Sequence, residues 1–403
     1  MKANSTDEIN GKIKEDEDNN MKDTEIRFLY LNEKDMIKAG VLDAGRCVDT
    51  MEDVMSLLSQ GDCLMGGREH NDHGIQLIFP KKSDIEGFPL EDSRDRRFMA
   101  MPAYLGGRFH MAGQKWYGSN GRNAALGLPR SILMVTLNDI ETGQPIAYMS
   151  ANLLSSMRTG AMPGLTAKYL AKKDAKVISI LGPGAINKTS LACILSKVTT
   201  IDTVKIKGSS ATSKTALEFK EYVERKFPQI TNIELCDDLE SAVRDADIIS
   251  EGVSVMNRQW PVVDVNWIKP GCLIISSGTM DFNDHDFIIK NMGKVVDNIK
   301  MYEEYINLYE EYYPDGTRKS SGTPGMYFVN EIFDGKIRRE EVQHLGDIVR
   351  GITPGRTSED EIILVSLGGM PILDVGWGYD CYRKAKELGI GTELELWVEP
   401  YQY

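Results

Sequence analysis

Cysteine is scarce and unpaired in this chain: six among 403 residues, at positions 47, 63, 193, 236, 272 and 381, with no Cys-x-x-Cys pair. That spacing offers neither a disulfide framework nor a thiolate metal site, and it suits a reducing cytoplasm. Histidine is rarer still, with five residues. Its one local cluster, His70-Asn71-Asp72-His73, has no third ligand nearby, so no metal is expected. The segment reads as a polar loop or as a loop beside a substrate. No apolar run approaches the roughly 18 residues that a membrane span requires, and no signal peptide opens the chain. Basic excess is missing too. Lys and Arg number 47 against 60 Asp and Glu, and the net charge of −13 argues against nucleic acid as a partner. Large apolar residues are nearly absent from 1–24, where Glu15-Asp16-Glu17-Asp18 has the composition of a disordered tail.

What is present is enough hydrophobic residue, 41%, to build two cores. The most informative stretch is Lys-Val-Ile-Ser-Ile-Leu-Gly-Pro-Gly-Ala-Ile-Asn at 176–187, a β-branched strand running into a glycine turn and a helix. Gly182 suits a tight turn, and Gly184 lets the backbone approach a dinucleotide pyrophosphate. The amides opening the helix at Ala185, Ile186 and Asn187 would face the anion. Asn187 stands where the usual fingerprint has its third glycine. Strands are expected at 203–207, 233–235, 248–250, 272–277, 294–297 and 361–366, with helices at 184–197, 213–226 and 238–245. This alternation predicts an α/β fold with a Rossmann-type, doubly wound parallel sheet. At the end of the second strand, an NAD site usually has a carboxylate for the ribose hydroxyl. Here the chain reads Lys207-Gly208-Ser209-Ser210, so the cofactor is expected to be NAD(P), with a lean toward NADP(H) through Lys207, Ser209 and Ser210.

Two further segments carry motifs. The first includes Met101-Pro102-Ala103-Tyr104, Gln114-Lys115-Trp116, Gly127-Leu128-Pro129-Arg130 and Ser156-Met157-Arg158-Thr159-Gly160-Ala161. The second includes Gly351-Ile352-Thr353-Pro354-Gly355-Arg356, Gly368-Gly369 and Asp374. With the glycine turn, these resemble the ornithine cyclodeaminase/mu-crystallin family over most of 25–398. Within it, the chain looks most like bacterial members named for tyramine oxidase.

The resemblance implies an α+β substrate and dimerisation domain from 25–160 with 370–403, a nucleotide domain over 161–369, an active site between them, and a homodimer. It also implies that Arg68, Lys115 and Arg158 grip a substrate α-carboxylate, and that the nicotinamide stacks near Ser366 and Gly368. Family cyclodeaminases carry an amine-handling aspartate in a Gly-x-Asp pattern. This chain reads Gly278-Thr279-Met280-Asp281, which puts Asp281 one residue late. Lys115 or Asp281 would then manage the amine proton. Two insertions, near 82–97 and 301–327, have no family counterpart; the second is expected to cap the cleft, enlarge the dimer interface or form an exposed amphipathic helix. The implied function is an NAD(P)-dependent oxidoreductase acting on the C-N bond of a small amino or imino acid. Ornithine cyclodeamination, or a role as an NADPH and small-ligand binding protein or as one component of an amine-oxidising system, are the alternatives.

Overall fold

A computed structural model describes residues 24–93, 95–253, 259–307 and 322–402. The acidic tail and the middle of the 301–327 insertion, residues 308–321, lie outside the described residues.

Eight short strands form a wholly parallel sheet. Across the sheet they run Asn232–Leu235, Thr203–Lys207, Val177–Leu181, Ile248–Glu251, Leu273–Ser276, Ile362–Ser366, Met292–Val296 and Val342–His344. The central strands are continuous apolar runs such as Leu273–Ser276 and Ile362–Ser366, buried at every residue, as a sheet covered on both faces requires. Strand order reverses between Val177–Leu181 and Ile248–Glu251, which opens a crevice beyond their carboxyl ends. The expected strands are all present within a residue or two. Val342–His344 and the paired dipeptides Val262–Val263 and Asp281–Phe282 were not foreseen, because such short runs carry no readable period.

The second sheet is mixed, in the order Thr392–Trp397, Ile26–Leu31, Pro145–Ser150, Ser131–Asn138, Met111–Ser119, Arg97–Leu105 and Cys63–Met65, with Ile75–Ile78 also paired to Arg97–Leu105. Its edge strand Thr392–Trp397 pairs antiparallel with Ile26–Leu31, so the end of the chain returns to its start. Strand alternation sends Met99, Met101 and Leu105 inward; helix Pro371–Leu388 packs on their strand, and Met99 and Met101 cluster with Tyr117. The other face leaves Phe98 and Trp116 stacked at 5.8 Å beside an exposed Ile132.

Helix Asn152–Leu170 follows directly on the second sheet and leads into the parallel one, packing closely on Ala185–Lys197. Glycine permits that approach: a Cβ at Gly160 would lie 2.4 Å from the Thr189 carbonyl carbon. Backbone cannot yield as a flexible side chain can. Gly160→Val should therefore cost about 1–3 kcal/mol, read as a lowered midpoint in chemical denaturation; an unchanged midpoint would show that the two helices are free to separate.

Candidate functional site

Three elements bring charge into one dry place. Lys115 lies on the inward face of strand Met111–Ser119, Arg158 on helix Asn152–Leu170, and Asp374 in the first turn of helix Pro371–Leu388. Lys115 is 3% exposed, Arg158 6% and Asp374 0%. Lys115 Nζ donates to Asp374 Oδ2 at 2.8 Å, and Arg158 Nε donates to Asp374 Oδ1 at 3.1 Å. Both cations also reach Ser155 Oγ, at 3.3 and 3.4 Å. Burial, then the charge of Arg158, pull the Lys115 ammonium down to about 8 against the opposing pull of Asp374. Burial alone would raise Asp374, but Arg158 and Lys115 outweigh it and hold the carboxyl below its ordinary value.

Two cations around one carboxylate leave an unbalanced positive charge. Lys115 commits two of its three N–H groups and Arg158 two of its five. The remaining N–H groups have the chemistry to hold a second carboxylate, a planar fork from arginine and a point charge from lysine.

Next to this cluster, Gly369 (φ +76°) lies close against Arg158: a Cβ there would come within 2.8 Å of Nη1. Its carbonyl receives the His73 Nδ1 hydrogen bond at 2.8 Å. Burial takes His73 down to about 4, so its ring is neutral near pH 7. Gly368 and His73 line a cavity of about 220 Å³ with Met301, Tyr302, Tyr305 and Met326. Several of those residues come from the second insertion. Helix Ile299–Asn307 buries Met301 and Tyr302 over Gly368, and the Tyr302 hydroxyl lies 3.2 Å from Ser366 Oγ. The described part of the insertion therefore caps the cleft rather than standing free as an exposed helix.

A second groove, about 660 Å³, runs past Gly182, Gly184, Lys207, Ser209 and Trp260 at the strand-order reversal. Gly182 has φ +81°, a conformation costly for any residue with a Cβ. A Cβ on Gly184 would meet nothing within 4 Å, so a side chain there would project into open space that a ligand can use. Helix Ala185–Lys197 begins without a side-chain cap, leaving its first amides for an anion. The hydroxyls of Ser277 and Thr279, just past strand Leu273–Ser276, are buried without a partner. Together these features fit a dinucleotide.

Buried acids hold the loops beside both the groove and the smaller cavity. Glu251, fully buried, accepts from the amides of Val253, Gly278 and Thr279 and from Ser276 Oγ. Asp297 accepts from the amides of Gly368, Gly369 and Asn298. Neither acid stands out in the sequence; the only local sign is an acid closing or directly following an apolar strand.

The sequence-derived residues divide clearly. Lys115 and Arg158 are brought together, while the Arg68 side chain is 95% exposed, with Glu69 3.9 Å away, and stays outside the cluster. Asp281 also stays outside: its carboxylate receives the Phe282 amide and pairs with His285 Nε2 at 2.7 Å. Asn187 is 0% exposed and faces away from the groove. Its amide donates to the carbonyls of Leu181, Gly182 and Ser250 and accepts from Ser250 Oγ, so it braces the glycine turn from behind. Gly184 and Ala185 are exposed to the groove and Ile186 partly so. Lys207 Nζ turns back to the Gly208 carbonyl at 2.6 Å, and Ser210 pairs with Thr212. Ser366 is buried beneath Tyr302 and Gly368 is partly covered by Met301.

Removing Asp374 tests the charge balance. Asp374→Asn should destabilise the fold by about 3–5 kcal/mol, because two buried cations lose their counterion. It should also move the Lys115 titration further below about 8, since Asp374 is what raises it. Denaturation and a lysine-resolved NMR titration read the two effects; an upward shift would contradict the arrangement.

Comparison with known proteins agrees with this geometry. The family model described as the ornithine cyclodeaminase/mu-crystallin family matches residues 43–388. N-((2S)-2-amino-2-carboxyethyl)-L-glutamate dehydrogenase of Staphylococcus aureus is 29% identical, covering 92% of this chain and 99% of its own. A Delta(1)-pyrroline-2-carboxylate reductase of Bacillus cereus is 27% identical, over 65% of this chain and 74% of that protein. Among solved structures, an archaeal alanine dehydrogenase dimer with bound NAD superposes with a TM-score of 0.70 at 25% identity, covering 92% of this chain and 100% of that one. With the glycine turn, the paired Lys115 and Arg158 and a family match over most of its length, the chain belongs to the ornithine cyclodeaminase/mu-crystallin family.

Proposed function

We infer that this protein is a nicotinamide-dependent oxidoreductase that interconverts a small 2-amino acid and its 2-imino acid. The observation carrying this reading is the uncompensated positive charge of Lys115 and Arg158 around Asp374, which a substrate α-carboxylate neutralises. The family relatives named as dehydrogenases and reductases support the reaction class.

Gly182, Gly184 and the opening amides of helix Ala185–Lys197 would hold a nicotinamide dinucleotide, which would supply or accept the hydride. The protein's own groups orient and charge the reacting centre. Arg158 offers its outer N–H groups to the carboxylate, and Lys115 adds a mobile charge. With its ammonium near 8, Lys115 is also suited to exchange the amine proton. Ornithine cyclodeamination is less favoured, because Asp281 is held by His285 and Phe282 outside the cluster. Lys207 and Ser209 in the groove support NADP(H), with Lys207 swinging from Gly208 to a 2′-phosphate.

The outer face bearing Phe98, Trp116 and Ile132 fits a second copy of the chain, and the dimeric relative supports a homodimer. Trp116→Glu should then halve the mass measured by light scattering; an unchanged mass would remove this face from the interface.

The decisive assay follows nicotinamide absorbance with NADPH or NADH against Delta(1)-pyrroline-2-carboxylate and 2-oxo acids mixed with ammonia or amines, with ornithine plus NAD run alongside. Net cofactor oxidation is expected, with KM for the imino acid rising as pH passes about 8 and Lys115 loses its proton. Arg158→Leu should lower kcat/KM by about a hundredfold or more, as the loss of a charge-assisted bidentate contact implies. Lys207→Asp should shift preference toward NADH. Proline and ammonia from ornithine without net cofactor change would overturn the reductase reading.

A further inference from the structure

His73 performs no task in the function described so far, although it stands at the centre of the cleft. Its ring is fixed in one tautomer by geometry alone. The Gly369 carbonyl can only accept, so the 2.8 Å contact requires the proton on Nδ1. Nε2 then carries a lone pair and no hydrogen. No second partner engages the ring among the described residues, and His73 lines the cavity shared by Gly368, Met301 and Tyr302. Gly369, which holds the ring, itself lies close against Arg158, so His73 is tethered to the residue that adjoins the charged cluster.

The surroundings decide what such a lone pair can do. Protonation is strongly opposed by burial and by the two neighbouring cations, so the ring stays an acceptor through the physiological range. A second positively charged side chain is therefore not what this histidine supplies. Lys115 and Arg158 present only donors, and those face the carboxylate. An amine, or an imine in its protonated form, next to that carboxylate has N–H groups that need an acceptor, and Nε2 is the acceptor on offer.

We propose that His73 Nε2 receives the N–H of the substrate's amine or imine nitrogen and so selects nitrogen over oxygen at the 2-position. The proposal rests on the amino-acid reading above and adds to it the group that recognises nitrogen. A 2-imino acid in water coexists with the 2-oxo acid formed by its hydrolysis. The two share a carboxylate and a shape, so the arginine and lysine cannot separate them. A lone pair can: it attracts N–H and repels a carbonyl or ether oxygen. No bond to His73 is made or broken.

The test compares ligand pairs that share a carbon skeleton and differ in that atom and in the protons and charge it carries. Calorimetry of the full-length protein saturated with oxidised cofactor would use L-proline against (S)-tetrahydrofuran-2-carboxylate, and N-methyl-L-alanine against (S)-2-methoxypropanoate. His73→Asn keeps a donor where Nδ1 stands, preserving the tether to Gly369, but has no atom where Nε2 stands. It should weaken the nitrogen ligands by about tenfold, the worth of one hydrogen bond, and leave the oxygen ligands unchanged or slightly tighter as the lone-pair repulsion is lost. His73→Gln, which reaches the Nε2 position without the tether, should recover part of the preference, and the melting temperature of each variant reports folding. Equal weakening of both members of a pair, or of neither, in the folded His73→Asn protein would reduce the histidine to a loop tether and overturn the proposal. Arg158→Leu separates the two readings: it should weaken all four ligands alike, and no binding of any of them to the wild-type protein would overturn the amino-acid reading itself.

Discussion

A single carboxylate shared by two buried cations organises this protein. Asp374 has no contact with solvent, and it faces both Lys115 and Arg158. Each of the three sits on a different element, so the ion cluster exists only when the mixed sheet and the helices Asn152–Leu170 and Pro371–Leu388 have all docked. Its position in the chain suits the acid. Pro371 opens the helix at its first turn, and Asp374 falls where the helix dipole favours negative charge. Buried ion clusters of this kind add little stability compared with apolar packing. The cluster is left one negative charge short, and that imbalance is what the proposed carboxylate site rests on.

The same logic, acids buried to hold backbone amides, shapes the cleft. Glu251 ties together the loops that follow two neighbouring strands, and Asp297 ties down Gly368 and Gly369 after a third. Burial pushes both acids up, and the amide hydrogen bonds pull them back. Each acid thus replaces the water that loop amides at the carboxyl ends of strands would otherwise need. The result is a groove whose walls are set before any ligand arrives, which reduces the ordering that binding must impose.

Much of this was legible because it is local. The turn at Gly182 and Gly184, the strand before it and the helix after it are contiguous, so glycine freedom and β-branched runs announce them. Lys115 and Arg158 were legible through motif resemblance. What the sequence could not show are pairings across the chain. Asp374 lies 259 residues from Lys115 and 216 from Arg158, and although its motif was visible, nothing local distinguished it from a surface acid. Asn187 was misplaced for the opposite reason: the fingerprint makes its position look like a ligand contact, but a glycine-sized space had been filled by an amide that satisfies three carbonyls. Arg68 followed family spacing across an insertion and Asp281 a motif shifted by one residue, and each ends beside a neighbouring residue, Glu69 and His285, instead of in the cluster.

The second insertion changes what the cleft can hold. A Cβ on Gly368 would sit 2.3 Å from the Met301 methyl and 3.1 Å from the Tyr302 hydroxyl, so the glycine and the inserted helix are matched to one another. Tyr302 is no loose plug. It is 4% exposed, with its hydroxyl on Ser366 and within reach of Asp297, the acid that holds the Gly368 amide. Inserted segment, glycine loop and buried acid therefore form one packed unit. Met301 and Met326 line the same cavity as His73, so apolar side chains and an imidazole ring share its surface. On the proposed reading, a substrate held by its carboxylate at Lys115 and Arg158 meets both kinds of side chain with its remaining substituents.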